Sequence, residues 1–292
     1  MLNRSSLSCS LLAAFALLLA GSLLAAPPGE DSRRLGWHGE EMPQGLKKAE
    51  AEGEYIWIKD GSVMVYVPAG TFTMGSEEGD SDEMPVRQVY LDAFYIDKYE
   101  VSNRLWRRSG LPLPPPPSWG IQDQKPVVNV DWNDVQKYMQ WSGKRLPSEA
   151  EWEKAARGTD GRTYPWGDDP PRNEYLIWEE HPVSRESIGD IGCCPQGASP
   201  YGAVNMAGNV YEWCQDWYDA EFYQTAPQRN PVNDKAAKMR VLRGGAFVHK
   251  PPHHRTSYRY RLYPFDKTPY IGFRCVLSAP AGEQSENPQG GI

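Results

Sequence analysis

After its first 26 residues the sequence holds no long apolar run, so no later segment can span a bilayer, which takes roughly 20 apolar residues. It has no G-x-G-x-x-G turn and no P-loop, which leaves no phosphate cradle. It has no C-x-x-C spacing, and that weakens the case for a zinc site. Positive charge is short as well: a formal net charge of -7 argues against a general nucleic-acid binder. Phenylalanine is scarce, with 7 residues against 11 Trp and 16 Tyr. A core built from such amphipathic aromatics must find a partner for each polar tip. With 27 Gly and 26 Pro, the chain reads as a loop-rich globule.

What is present begins with MLNRSSLSCSLLAAFALLLAGSLLAAPPGE, where Arg4 precedes an apolar stretch over 11–26 and small residues follow. The pattern reads as a secretory signal peptide over 1–26, and hence as export to the periplasm with no membrane insertion after cleavage. An uncleaved anchor is the other reading, because Leu stands where a small residue is preferred before the cut. Cys9 would leave with the signal, and Cys193, Cys194, Cys214 and Cys275 would remain in an oxidising compartment. Adjacent cysteines make a strained bridge, so the expected disulfide joins Cys214 or Cys275 to one of the vicinal pair. Residues 27–54 read as a polar arm, 55–278 as the domain, and 279–292 as a disordered tail.

Within the domain, VMVYVPAGTFTMGS from Val63 reads as strand, turn, strand, and VYLDAFYIDKYEVSN as a second strand pair. LPLPPPPS excludes helix and central strand. Two helices are expected. DWNDVQKYMQWSG has Asp131 or Asn129 as cap and Gly143 as stop. PSEAEWEKAARG has Ser148 at its start, Glu149 and Glu151 in the first turn, and Gly158 past its end. In the second helix Trp152 should face inward, with Glu/Arg pairs on the solvated face. Arg243, Arg259, Arg261 and Arg274 are candidates for buried ion pairs that replace regular hydrogen bonding.

Seven strings stand in order: VPAGTFTMGS, LDAFYIDKYEVSN, PVVNVDWNDVQKYMQWSGKRLPSEAEWEKAARG, YPWGDD, SPYGAVNMAGNVYEWCQDWY, RVLRGGAF and GFRCV. Together, from about Val63 to Val276, they resemble the formylglycine-generating-enzyme (sulfatase-modifying factor) family. The resemblance implies an α+β fold of the C-type-lectin-like variety, with short antiparallel strands, a few helices and calcium. One of the family's calcium sites falls on Asn205, Gly208, Val210 and Glu212. Side-chain oxygens from Asn205 and Glu212 and carbonyls from Gly208 and Val210 suit a hard cation. A plain turn, with those side chains bonded to backbone, is the alternative. The family's second calcium site has only Asn173 as a weak candidate, because the insertion at 172–198 matches poorly.

The family keeps its active site in the segment after RGGS, where two cysteines hold Cu(I). Here the segment reads LRGGAFVHKPPHHRTSYRYR, residues 242–261, and has no cysteine. His249 and Ser257 stand at the two positions, Ala246 replaces the serine, and Met139 replaces a cysteine of the family's disulfide. The candidate catalytic residues are therefore His249, Ser257 and Tyr258, which could bind a metal, shuttle protons or line a groove for a planar ligand. His253 and His254 read more simply as exposed residues of a surface loop. Loss of the thiolates argues against sulfatase activation. Family members without the pair include a periplasmic protein of pyoverdine siderophore maturation. The first functional expectation is thus an oxidoreductase acting on a small-molecule or peptide-derived substrate such as a siderophore precursor, with its redox cofactor unassigned. The second is a non-catalytic binding or accessory module. A true formylglycine-generating enzyme comes last.

Overall fold

The computed structural model describes residues 34–280. The signal segment, the start of the arm and all but two residues of the tail lie outside the described residues. Fifteen helices and strands are short and separated by long loops, as the glycine and proline content implies. Six strands come first: β1 (Leu46–Lys48), β2 (Glu54–Trp57), β3 (Val63–Val67), β4 (Gly70–Met74), β5 (Arg87–Leu91) and β6 (Phe94–Asp97). Helices α1 (Asn103–Arg108), α2 (Trp132–Ser142) and α3 (Glu149–Arg157) follow. Then come β7 (Tyr211–Trp217), α4 (Phe222–Thr225), β8 (Arg240–Arg243), β9 (Tyr260–Leu262), β10 (Ile271–Gly272) and β11 (Val276–Ser278).

The strands form a five-stranded sheet ordered β1-β2-β3-β6-β11, a four-stranded sheet ordered β10-β7-β8-β9, and the pair β4-β5. All pairings are antiparallel except β10 with β7. The two expected strand pairs do not form as hairpins. β3 pairs with β2 and β6, whereas β4 pairs with β5. Pro68 breaks the ladder, and Gly70, at φ +145°, turns the chain into another sheet. The stretch read as an arm also does more than link. From Leu46 it supplies β1 and the start of β2 at the edge of the large sheet.

Both expected helices form. Asp131 caps α2 by accepting from the Asp134 amide, and Gly143 closes it in the left-handed region at φ 73°. Ser148 and Glu151 make a reciprocal capping box on α3. Five apolar clusters fill the interior of the described residues, two of them large. One large cluster gathers Phe72, Phe94, Trp152, Cys214 and Val241; the other gathers Trp106, Tyr138, Trp213, Phe273 and Cys275.

Two expectations are overturned here. No disulfide forms among the described residues: Cys214 and Cys275 lie in different clusters, and Cys193 and Cys194 lie elsewhere. The charged face of α3 is not solvated: Glu149, Glu153, Lys154 and Arg157 are all buried beside Trp152. A loop-rich fold leaves many backbone groups without ladder partners, and buried guanidinium groups reach them instead. Arg243 donates to Glu149 at 3.0 Å, to Glu153 at 2.6 Å and to the carbonyls of Thr256 and Ser257. Arg259 grips Glu149 with two bonds of 2.7 and 2.9 Å. Arg274 does the same to Glu212, at 2.7 Å twice. Arg261 stays at the surface, 3.7 Å from Asp82.

Candidate functional site

The segment 242–261 leaves β8 through Gly244 and Gly245, both at positive φ. At Gly245 a Cβ would lie 2.2 Å from His254 Nδ1 and 2.7 Å from the His253 carbonyl. Only glycine lets the chain fold back so closely. The fold-back, with a turn of 3-10 helix over Pro251–His254, brings three histidines together. The expectation that His253 and His254 are merely exposed is corrected. His254 is fully buried, with Nε2 3.0 Å from the His249 carbonyl. Burial pushes its imidazole down to about 4 despite that bond, so it supports the loop as a neutral group.

His249 and His253 sit in an aromatic cluster, their ring centroids 4.8 Å apart. Tyr211 of β7 stacks on Tyr260 of β9 at 4.7 Å and meets His249 edge-on at 5.2 Å. Tyr258 packs edge-on against His253, and Tyr270 edge-on against His249. The Tyr211 hydroxyl lies 3.2 Å from His253 Nδ1. His249 Nδ1 is buried and has no hydrogen-bond partner. Burial, with His253 nearby, pushes the His249 imidazole down to about 4. It is therefore neutral near pH 7. Burial raises Tyr258 to about 12, which keeps its hydroxyl protonated as a donor.

Of the three candidate catalytic residues, His249 and Tyr258 share this cluster. Ser257 does not. It is buried, its hydroxyl lies 3.5 Å from Arg255, and its carbonyl accepts from Arg243. Sequence reasoning missed Tyr211 and Tyr270. Tyr211 precedes Glu212 in the segment expected to bind calcium, and strand alternation was a sign that it faces away from Glu212.

Glu212 itself is committed. Arg274 and the Trp152 indole, at 2.7 Å, take its two oxygens. The carboxylate beside Asn205 is instead Glu100, from the loop after β6, which sequence reasoning did not single out. Glu100 is fully buried and meets the amides of Asn205, at 3.1 Å, and Asn209, at 2.8 Å. Burial pushes its carboxyl up to about 7, against the field of Arg274. A buried carboxylate with only amide donors fits a hard cation, and an amide flip would present Asn205 Oδ1 in place of its nitrogen. Gly208, at φ +77°, shapes the turn: its Cβ would strike the Ile177 carbonyl at 2.3 Å. Among the described residues no group of three His, Cys, Asp or Glu is arranged around a metal position. Asn173 accepts from the Trp178 indole at 2.9 Å.

A cleft of about 790 Å³ opens beside this loop, lined by Tyr99, Glu100, Lys125, His181 and Cys193 among others, and not by His249. The insertion 172–198 lies between the two regions. Its Glu179 amide donates to the His249 carbonyl at 3.3 Å, while Gly189 to Cys193 line the cleft.

The sulfatase-modifying factor enzyme 1-like domain family matches residues 58–279. A formylglycine-generating enzyme of Thermomonospora curvata is 35% identical over 283 residues, covering 73% of this chain and 92% of that protein. The serine/threonine-protein kinase pkn1 of Chlamydia caviae is 34% identical over 243 residues, but the chain spans only 37% of its length. Among solved structures, PvdO from Pseudomonas aeruginosa superposes with a TM-score of 0.69 and 25% identity, covering 79% of this chain and all of that one. The C-type-lectin-like α+β expectation agrees with these matches. The chain belongs to the family of the sulfatase-modifying factor enzyme 1-like domain.

Proposed function

We propose that this protein takes part in the oxidative maturation of a secondary metabolite outside the cytoplasm, with the pyoverdine chromophore precursor as candidate substrate. The observation that carries the reading is the His249 cluster: three tyrosines and a second histidine around a neutral imidazole, with Tyr258 packed on that second histidine. Aromatic walls suit a planar ring, and a neutral imidazole suits a phenolic or ring N–H proton. The likeness to PvdO supports the pyoverdine link. A cysteine-free loop speaks against the sulfatase-activating reaction. In the proposed step a dihydroquinoline-like ring loses two electrons and two protons. Dioxygen accepts both and becomes hydrogen peroxide. His249 takes the first proton, and Tyr258 orients the substrate by donating a hydrogen bond.

A structural calcium ion belongs to the same proposal. Asn205, the carbonyls of Gly208 and Val210, and Glu100 in place of Glu212 would hold it. When bound it supplies charge to offset buried Glu100. It takes no part in the oxidation.

The test incubates the protein in air with the dihydroquinoline-bearing precursor and follows chromophore absorbance and oxygen uptake. His249→Ala should slow both by about 10²-fold or more, the usual worth of a general base, with folding intact. Ser257→Ala should do less. The second reading, a binding or accessory module, draws on the kinase match, in which this domain is a minor part of a larger protein. It expects precursor binding that weakens in His249→Ala, and no turnover in either protein.

A further inference from the structure

The vicinal thiols are not used by this function, yet they are built into a site. Cys193 is exposed and lines the 790 Å³ cleft. Cys194 is buried behind it, packed with Ile177, Ile188, Val210 and Phe247. The two sulfurs lie 3.3 Å apart. Gly189 keeps room for them: a Cβ there would sit 2.9 Å from Cys193 Sγ. Cys214 and Cys275, in separate core clusters, cannot compete for either sulfur without unfolding.

We propose that Cys193 and Cys194 form a reversible dithiol–disulfide couple that exchanges with disulfide-bearing ligands entering the cleft. Cys193 is the entry sulfur because it alone of the pair is exposed to the cleft. It attacks one sulfur of the incoming disulfide, forming a mixed disulfide and releasing one thiol. Cys194 then attacks Cys193 Sγ, closing the vicinal bond and releasing the second thiol. One disulfide is reduced and one is formed, and the two thiol protons pass to the two leaving thiolates. Closure needs the sulfurs to approach by about 1.2 Å, from 3.3 Å to an ordinary bond of about 2.05 Å. Adjacent Cα atoms lie closer than disulfides prefer, so the closed form is readily reduced again. That property belongs to an exchanging pair rather than a structural staple. The short, glycine-flanked run Gly189–Cys193 is the part of the insertion that would absorb the change.

The probe is oxidised glutathione, added to the fully reduced folded chain and read by intact mass and peptide mapping. Wild type should lose two hydrogens, with the bond mapped between Cys193 and Cys194, and a mild dithiol reductant should restore it. Cys194→Ser should stop at a glutathione adduct on Cys193. Cys193→Ser should react about tenfold more slowly or worse, because its remaining thiol is buried. Wild type alone decides the first point, so a poorly folded variant does not blunt the test. Wild type that keeps both thiols free, or that accumulates the same lasting adduct as Cys194→Ser, would overturn the proposal. Neither outcome bears on the His249 reaction, which is read by chromophore formation.

Discussion

Removing Arg243 should show how this fold holds its candidate site. Its guanidinium is buried, joining Glu149 and Glu153 of α3 to the carbonyls of Thr256 and Ser257. Those carbonyls directly precede Tyr258. Breaking a buried pair by deleting one partner typically costs 3–5 kcal/mol, because a charge is left uncompensated. Here each carboxylate keeps a second cation, Arg259 for Glu149 and Arg157 for Glu153. That places the electrostatic part near the lower end, about 3 kcal/mol. Two orphaned carbonyls add about 1 kcal/mol or more each. Arg243→Met should therefore lose about 5 kcal/mol in urea unfolding. Arg243→Lys keeps the charge but cannot span four acceptors, and should still lose about 2–3 kcal/mol. The midpoint should fall with an unchanged denaturant slope. A loss under about 1 kcal/mol for Arg243→Met would show that the network is replaceable and refute the reasoning.

Three further outcomes follow from the same geometry. His254 titrates near 4 when folded against about 6.5 when unfolded, so the unfolded chain binds the extra proton first. Stability should fall as pH drops from about 6.5 to about 4, by up to about 3 kcal/mol, and His254→Gln should flatten that slope in pH-dependent melts. The comparison with the variant matters because Asp216, raised to about 7 by burial, runs the other way, losing stability as pH rises. For the proposed calcium ion, chelator should lower Tm in wild type, and Asn205→Ala should remove that sensitivity; metal-free protein that melts identically with and without chelator refutes it. Gly245→Ala should cost more than the roughly 1–2 kcal/mol of a left-handed backbone, since its Cβ meets His254, and should cut turnover with His249 itself intact.

The parts legible in sequence were those with local causes. The caps of α2 and α3 follow from Asp131, Gly143, Ser148 and Gly158, and the structure has them. Strand content was legible too, but strand partners were not. Alternation in VMVYV and GTFTM marks two strands without saying that they enter different sheets. Charge density on α3 misled for a related reason. Spacing sets which residues share a face, whereas Arg243 and Arg259, about a hundred positions away, decide that the face is buried. The segment taken as the candidate site was chosen in sequence for its missing cysteines. The composition of the site was not legible, because Tyr211 and Tyr270 reach it from outside the segment.

These distances also explain how one scaffold can carry a different site. The buried arginines fix the loop through its backbone, at the carbonyls of Thr256 and Ser257, and His254 holds the carbonyl of His249. None of these bonds uses the side chain of residue 249. Its identity can therefore change with little change in what holds the chain. The support and the chemistry are separable in the same way by experiment. Substitutions at Arg243, Gly245 or His254 should move stability and activity together, whereas His249→Ala should move activity with stability nearly unchanged. If His249→Ala also lost several kcal/mol, its unpaired nitrogen would be a packing defect and the aromatic cluster a piece of core.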